Sequence, residues 1–285
     1  MPLTIRRATA ADVPSAAKIC FEAFHAINKD HNFPPDIPSV EAAVGFMGIL
    51  FAHPGFYCFV AEVDGKVVGS NCLDERSPIS GIGPITIDVH SQNQGIGRAL
   101  MQAVMDRSDQ HGFPGIRLIQ AAFHNRSLSL YTKLGFEARE PLSAMLGLAI
   151  LKPVEGCTVR PATVADIDAC ARVCIQVHGH HRTGELSDAI AQHHAMVVER
   201  QGRITGYTTE LGFFGHTVAE SNLDLQAILA ATPEFEEPGF LLPTRNTELL
   251  RWCLENGLRI RQPMTLMTKG LYNKPNGSYL PSVTF

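Results

Sequence analysis

Residues 4–20, TIRRATAADVPSAAKIC, return without a gap as residues 158–174, TVRPATVADIDACARVC. Thr4, Arg6, Ala8, Thr9, Ala11, Asp12, Ala17 and Cys20 recur as Thr158, Arg160, Ala162, Thr163, Ala165, Asp166, Ala171 and Cys174, at a constant spacing of 154 residues. Each copy reads as a short strand, a Thr helix cap with Asp in the first turn, then a helix with apolar residues at helical spacing. One amphipathic helix can resemble another by chance, but an ungapped match through strand and cap does not arise that way. The chain is therefore predicted to be a duplication.

The boundary falls near residues 151–156, LKPVEG, where Pro and Gly break the pattern. Two domains are expected, over residues 1–152 and 157–285. The halves continue in parallel. The first has a His/Pro-rich loop at 31–38, a helix over 40–51, and strands over 57–63 and 66–72 joined at Asp64-Gly65, a hairpin signal. The second has a helix over 185–192 and strands over 195–200 and 203–210 about Gln201-Gly202. A hydrophobic fraction of 45% against 18% charged residues supplies a core for both. A net charge of −4 gives no basic field, so nucleic acid is not the expected partner. The opening residues carry no apolar run of signal-peptide length, and no segment is long and apolar enough to span a bilayer. Seven cysteines, none in a Cys-x-x-Cys pair, suggest reduced thiols in cytoplasm.

Residues 94–105, QGIGRALMQAVM, place two glycines at the mouth of an amphipathic helix, just after a strand near 85–89. Glycine is costly in regular structure, so a pair here lets the backbone approach something closely. A phosphate is the natural guest, because the first N–H groups of a helix lack partners and sit at its positive end. A Walker loop needs Gly-Lys-Ser/Thr, but Gly97 is followed by Arg98-Ala99. A dinucleotide fingerprint needs a third small residue where this chain has Leu100.

The pattern Gln-x-x-Gly-x-Gly after a strand resembles the acyl-CoA loop of the GCN5-related N-acetyltransferases. Residues 125–136, NRSLSLYTKLGF, resemble that family's second signature: Asn opening a helix, Tyr six positions on, then Gly-Phe at the turn into a strand. The resemblance covers most of residues 1–150. It implies an α/β fold of two tandem acetyltransferase-type domains, each a twisted mixed sheet flanked by helices, with a splay between central strands that admits acetyl-CoA. It implies a cofactor site formed by Ile87, Asp88, Val89, Gln92, Asn93, Gln94, Gly95, Ile96, Gly97, Arg98, Ala99 and Asn125. Tyr131 would donate the proton to the departing thiolate. Asp88 is read mainly as shaping its turn, and Asp74 and Glu75 are the nearest carboxylates for a base, with Glu75 preferred. The acceptor would lie by Phe24, His31 and Phe33, a region too poor in carboxylates for a polyamine and suited to a small-molecule or peptide amine. A homodimer is compatible with this reading.

The second half lacks the loop: residues 221–232, SNLDLQAILAAT, open a helix without glycine. Pairing Asn246 with Asn125 puts Trp252 opposite Tyr131, and indole has no proton to give at neutral pH. The second copy is thus expected to be non-catalytic. Cys170, Cys174 and His178 recur every four residues, with His180 and His181 following. They read as a buried stripe and a His-rich loop, and no metal is expected. The tail over 263–285 alternates as strands do, and either packs into the first domain or forms an ordinary closing strand with a loose end. The leading expectation is an acyl-CoA-dependent N-acetyltransferase active in the first half. The rival is an acetyl-CoA-binding sensor without turnover.

Overall fold

The structure, a computed structural model, describes residues 2–284; Met1 and Phe285 lie outside the described residues. The first half runs β1 (Leu3–Arg7), α1 (Val13–Asp30), α2 (Val40–Ala52), β2 (Phe56–Val63), β3 (Lys66–Asp74), β4 (Ser80–Ile82), β5 (Thr86–Ile87), α3 (Ile96–Gln110), β6 (Gly115–Ala121), α4 (Asn125–Lys133) and β7 (Glu137–Leu146). The second runs β8 (Cys157–Pro161), α5 (Ile167–His178), α6 (Thr183–Ala191), β9 (Met196–Arg200), β10 (Arg203–Thr208), β11 (Thr217–Ala219), α7 (Asn222–Ala231), β12 (Phe240–Pro243), α8 (Thr247–Glu255), β13 (Arg259–Gly270) and β14 (Ser278–Leu280).

The repeat is a structural device used twice. Arg6 Nη2 donates to Asp12 Oδ1 at 2.8 Å, and Arg160 Nη2 donates to Asp166 Oδ1 at 2.8 Å. The same guanidinium reaches the second strand of its half, at Glu62 or Glu199. Each Asp also accepts from the backbone and hydroxyl of its capping Thr, Thr9 or Thr163. The recurring Arg, Thr and Asp therefore pin strand to helix. The hairpin signals hold too: Asp64-Gly65 and Gln201-Gly202 both turn with positive φ at the two positions, 50°/74° and 54°/74°.

Alternation along β2 and β3 sorts side chains to two layers. Cys58, Val60 and Cys72 face Ala16, Ala17, Cys20, Ala43, Met47 and Leu50 of α1 and α2. Leu73 on the other face packs with Met101, Val104 and Met105 of α3 and Tyr131 of α4. Helices thus cover both faces of the first sheet.

The strands do not divide at residues 152–157. The first sheet has nine strands, in the order β1-β2-β3-β4-β6-β13-β7-β12 with β5 on β3. β13 pairs antiparallel to both β6 and β7, and β12 pairs with β7. Two strands of the second half are thus built into the sheet of the first. The first sheet is mixed, since β4 and β6 are parallel. The second, β14-β11-β10-β9-β8, is antiparallel throughout, because β12 has left to join the first. The tail is thus divided: β13 enters the first sheet and β14 pairs with β11 at the edge of the second.

The seven thiols are not all free. Cys58 and Cys72 are joined as a disulfide, leaving Cys20, Cys157, Cys170, Cys174 and Cys253. A plain hairpin about Asp64-Gly65 would set Cys58 opposite Asn71. A bulge at Ala61/Glu62 shifts the register by one residue and brings Cys72 into place. In the second half Cys170, Cys174 and His178 are buried along α5. Among the described residues no group of three or more His, Cys, Asp or Glu is placed to hold a metal ion, and no helix is long and apolar enough to cross a membrane.

Candidate functional site

β4 runs parallel to β6 only as far as Ile82 opposite Leu118. Gly83-Pro84 then interrupts the strand, and Pro84 has no N–H to continue a ladder. β5 stays with β3, pairing Gly69 with Ile87 and Ser70 with Thr86. Residues 83–87 and 119–121 consequently diverge. Their separation opens a cavity of about 720 Å³ between the two helical layers.

One mouth of that cavity is the glycine loop. Asn93 (φ 63°) and Gly95 (φ 85°) are left-handed, and Gly95 is the residue before α3. Left-handed residues alternating with an ordinary one aim N–H groups to one side. No side chain caps α3. Gly97 leaves room where an added Cβ would meet Ile87 at 3.3 Å and Leu130 at 3.5 Å. Ile87, Val89, Gln92, Asn93, Gly95, Ile96, Gly97 and Arg98 all line the cavity. Gln92 steadies the loop by donating to the Ile87 carbonyl at 3.3 Å. Backbone donors, an open helix terminus and an arginine suit a diphosphate.

Four residues expected at the cofactor lie off the lining. Asp88 shapes the turn, its carboxylate accepting from His90 N at 2.7 Å. Gln94 is exposed. Ala99 already spends its N–H on the Gly95 carbonyl at 3.0 Å. Asn125 does not cap α4; His124 does, its Nδ1 accepting from Ser127 N at 3.0 Å. That bond leaves the His124 proton on Nε2, and burial lowers the imidazole pKa, so the ring is neutral. His124 lines the cavity, as does Arg126.

Tyr131 lines the cavity beside Leu130 and is 5% exposed. Burial pushes its phenol up to about 12, with Ser127 pulling the other way. It therefore holds its proton throughout the ordinary pH range. Glu75 does not reach the cavity. Its carboxylate is clasped by Arg107 at 2.5 and 2.8 Å, on the flank of α3. Asp74 is likewise bound to Arg76, which in turn bridges to Asp188 of the second half at 3.0 Å.

At the other end Phe24 lines the cavity, but His31 and Phe33 are set outside it, Phe33 stacked on Phe123 with ring centroids 4.2 Å apart and His31 tilted against the same ring at 5.2 Å. What stands there instead could not be read from local patterns, because it is drawn from both halves of the chain. Asn28, Phe46 and Gln120 come from the first half, and Phe213, Phe214, Pro238, Met264 and Val283 from the second. Val283 N donates to the Phe213 carbonyl at 2.8 Å, and Phe46 and Phe214 pack at 4.8 Å.

The second half blocks its own version of the loop. Ser221 caps α7, and Asp224, three residues into the motif and fully buried, takes hydrogen bonds from Arg200 Nε (2.9 Å), Thr205 (2.7 Å) and Ser221 (2.6 Å). The Ser221 hydroxyl caps the entrance of α7, accepting from Asp224 N, where α3 has no side-chain cap. Asp224→Ala should cost about 2–3 kcal/mol of stability, read by chemical denaturation, because it strands buried donors. The cap positions also correct the pairing of the two signature helices. Asn246 caps α8 as His124 caps α4, and both helices run nine residues. Tyr131 is therefore matched by Cys253, not by Trp252. Burial raises the Cys253 thiol to about 12.

Residues 21–136 match the model of the Acetyltransferase (GNAT) family. An uncharacterised N-acetyltransferase of Methanocaldococcus jannaschii is 25% identical over 150 residues, covering 50% of this chain and 64% of that protein. The match thus spans less than two thirds of that relative. A candidate acetyltransferase from Pyrococcus horikoshii has the same fold with a TM-score of 0.74 at 18% identity, over 97% of this chain and 94% of that one. A GCN5-related N-acetyltransferase from Sphaerobacter thermophilus gives 0.62 at 15% identity, over 95% and 96%. A tandem GNAT protein from the clavulanic acid biosynthesis pathway gives 0.55 at 13% identity, over 94% and 98%. At such identities the structural matches speak for the two-copy fold alone. The glycine loop, the splayed strands and the whole of the signature helix fall inside the segment that matches the GNAT acetyltransferase family model.

Proposed function

We propose that the protein is an N-acetyltransferase that moves an acetyl group from acetyl-CoA to a primary amine, with the chemistry confined to the first half. The observation that carries this reading is one cavity lined by both an uncapped, glycine-entered helix terminus and a buried, protonated tyrosine. The residues fit coenzyme A. The N–H groups of residues 95–98 would hold its diphosphate, with Arg98 adding charge. The free edge of residues 85–89 would pair with its pantetheine amides. Acetyl-CoA supplies the activated acyl group as a thioester. As the amine nitrogen bonds to the acyl carbon and the C–S bond breaks, Tyr131 Oη would give its proton to the departing sulfur, the proton shed by the nitrogen would pass through solvent to restore the phenol, and the Val89 N–H would polarise the thioester carbonyl.

Asp30 and Asp36 are the carboxylates on the cavity lining, and Asp36 is tied to Arg261 (3.1 Å) and Gln262 (2.9 Å). We assign no base among them: the amine enters neutral, so kcat/KM should climb with pH until the free amine is neutral. Glu75, held by Arg107, has a structural role in this reading. Incubating the protein with acetyl-CoA and a panel of amines, and measuring free thiol, tests the activity. Thiol release with at least one amine is expected. Tight acetyl-CoA binding with no release from any of them would favour a non-catalytic sensor.

A further inference from the structure

The acceptor end of the cavity holds two buried amides with nothing to bond. Asn28 is 1% exposed, in the last turns of α1, and Gln120 is 5% exposed, on the splayed edge of β6. Both line the cavity, and among the described residues neither side chain has a hydrogen-bond partner for its oxygen or its nitrogen. Unpaired buried amides are expensive, and apolar side chains of the same shape would stabilise the fold. Their presence here asks for a guest. Each amide offers a donor and an acceptor. A carboxylate would satisfy the two NH2 groups but leave both carbonyls bare. It would also lie without a cation, since the cavity's arginines, Arg98 and Arg126, open the helices at the glycine-loop mouth. An uncharged amide in the ligand, with its own N–H and C=O, answers both side chains. The rest of this end is aromatic and apolar: Phe24, Ile27, Ile37 and Phe46, walled by Phe213 and Phe214 of the second copy.

Resting on the reading that this cavity takes an amine, we infer that the acceptor is an uncharged, amide-bearing amine on an aromatic or branched apolar body, its amide held by Asn28 and Gln120. The second half thereby serves the reaction as a wall of the acceptor site.

The test uses three ligands of one body: phenylalaninamide, phenylalanine and phenethylamine. Their Kd values are measured on the full chain loaded with coenzyme A, and their kcat/KM values are corrected for the fraction of neutral amine. Phenylalaninamide should lead both others by about tenfold or more. Asn28→Leu and Gln120→Met should each erase that lead while leaving coenzyme A affinity in place, and their Tm should hold or rise. Equal Kd for the three ligands, a lead for the free acid, or an amide preference intact in both variants would overturn the inference. Amide-selective binding without thiol release would instead sink only the assignment of activity.

Discussion

Tyr131→Phe should lower kcat by about 10²–10³-fold, the range a positioned general acid supplies, with acetyl-CoA affinity within about twofold of the parent. The substitution keeps the ring against Phe136, 6.3 Å away in an edge-to-face contact, so the core of α3, α4 and β6 has no reason to loosen. What is lost is one hydroxyl proton facing the cavity. The pH profile sharpens the test. Burial disfavours the phenolate and lifts Tyr131 to about 12. The acid therefore stays loaded while the acceptor amine loses its own proton at lower pH. Activity should rise with pH through the amine's pKa, and any decline caused by Tyr131 should appear only near 12. In the Phe variant the rising limb should keep its midpoint, because the amine sets it, while the plateau falls. A variant within threefold of the parent at every pH would make Tyr131 a packing residue and return the proton to water.

Local chemistry is what the sequence exposed. The Thr/Asp caps, the two Gly hairpins and the Gly95 helix entrance each depend on neighbours a few residues apart, and each stands where the pattern put it. Three things were hidden, all set by distant pairings. Residues 259–270 alternate like any strand, and nothing in them says that they will slot between β6 and β7. The disulfide needs a bulge that moves a register by one. The acceptor wall joins Phe46 to Phe214, across the repeat boundary. The mispairing of Tyr131 with Trp252 is instructive in another way. Two asparagines looked equivalent, but the cap is a geometric position, and histidine fills it in one helix and asparagine in the other. Asn28 and Gln120 were illegible for a simpler reason: an amide in a sequence looks the same whether solvated or stranded.

Arg98→Asp should weaken acetyl-CoA binding on the order of a hundredfold, or about 2.7 kcal/mol. Counted from the cap, Arg98 stands third in α3 and Asp224 stands third in α7. In α7 that carboxylate accepts from the Ser221 hydroxyl, which itself caps Asp224 N, so the helix entrance is closed by the chain's own groups and bears a negative charge. A carboxylate third in α3 would present negative charge at the helix entrance where the diphosphate is to sit, while removing a guanidinium. Arg98→Ala separates the two effects. It removes the cation but leaves the terminus open, and should cost only a few-fold, as an exposed arginine does. The helix itself gains from an acid in its first turn, so the Tm of the Asp variant should not drop. Calorimetry with coenzyme A on the parent and both variants reads the outcome. If the Asp variant binds coenzyme A as the Ala variant does, the open end of α3 is not the phosphate site, and the contrast between the two copies has another cause.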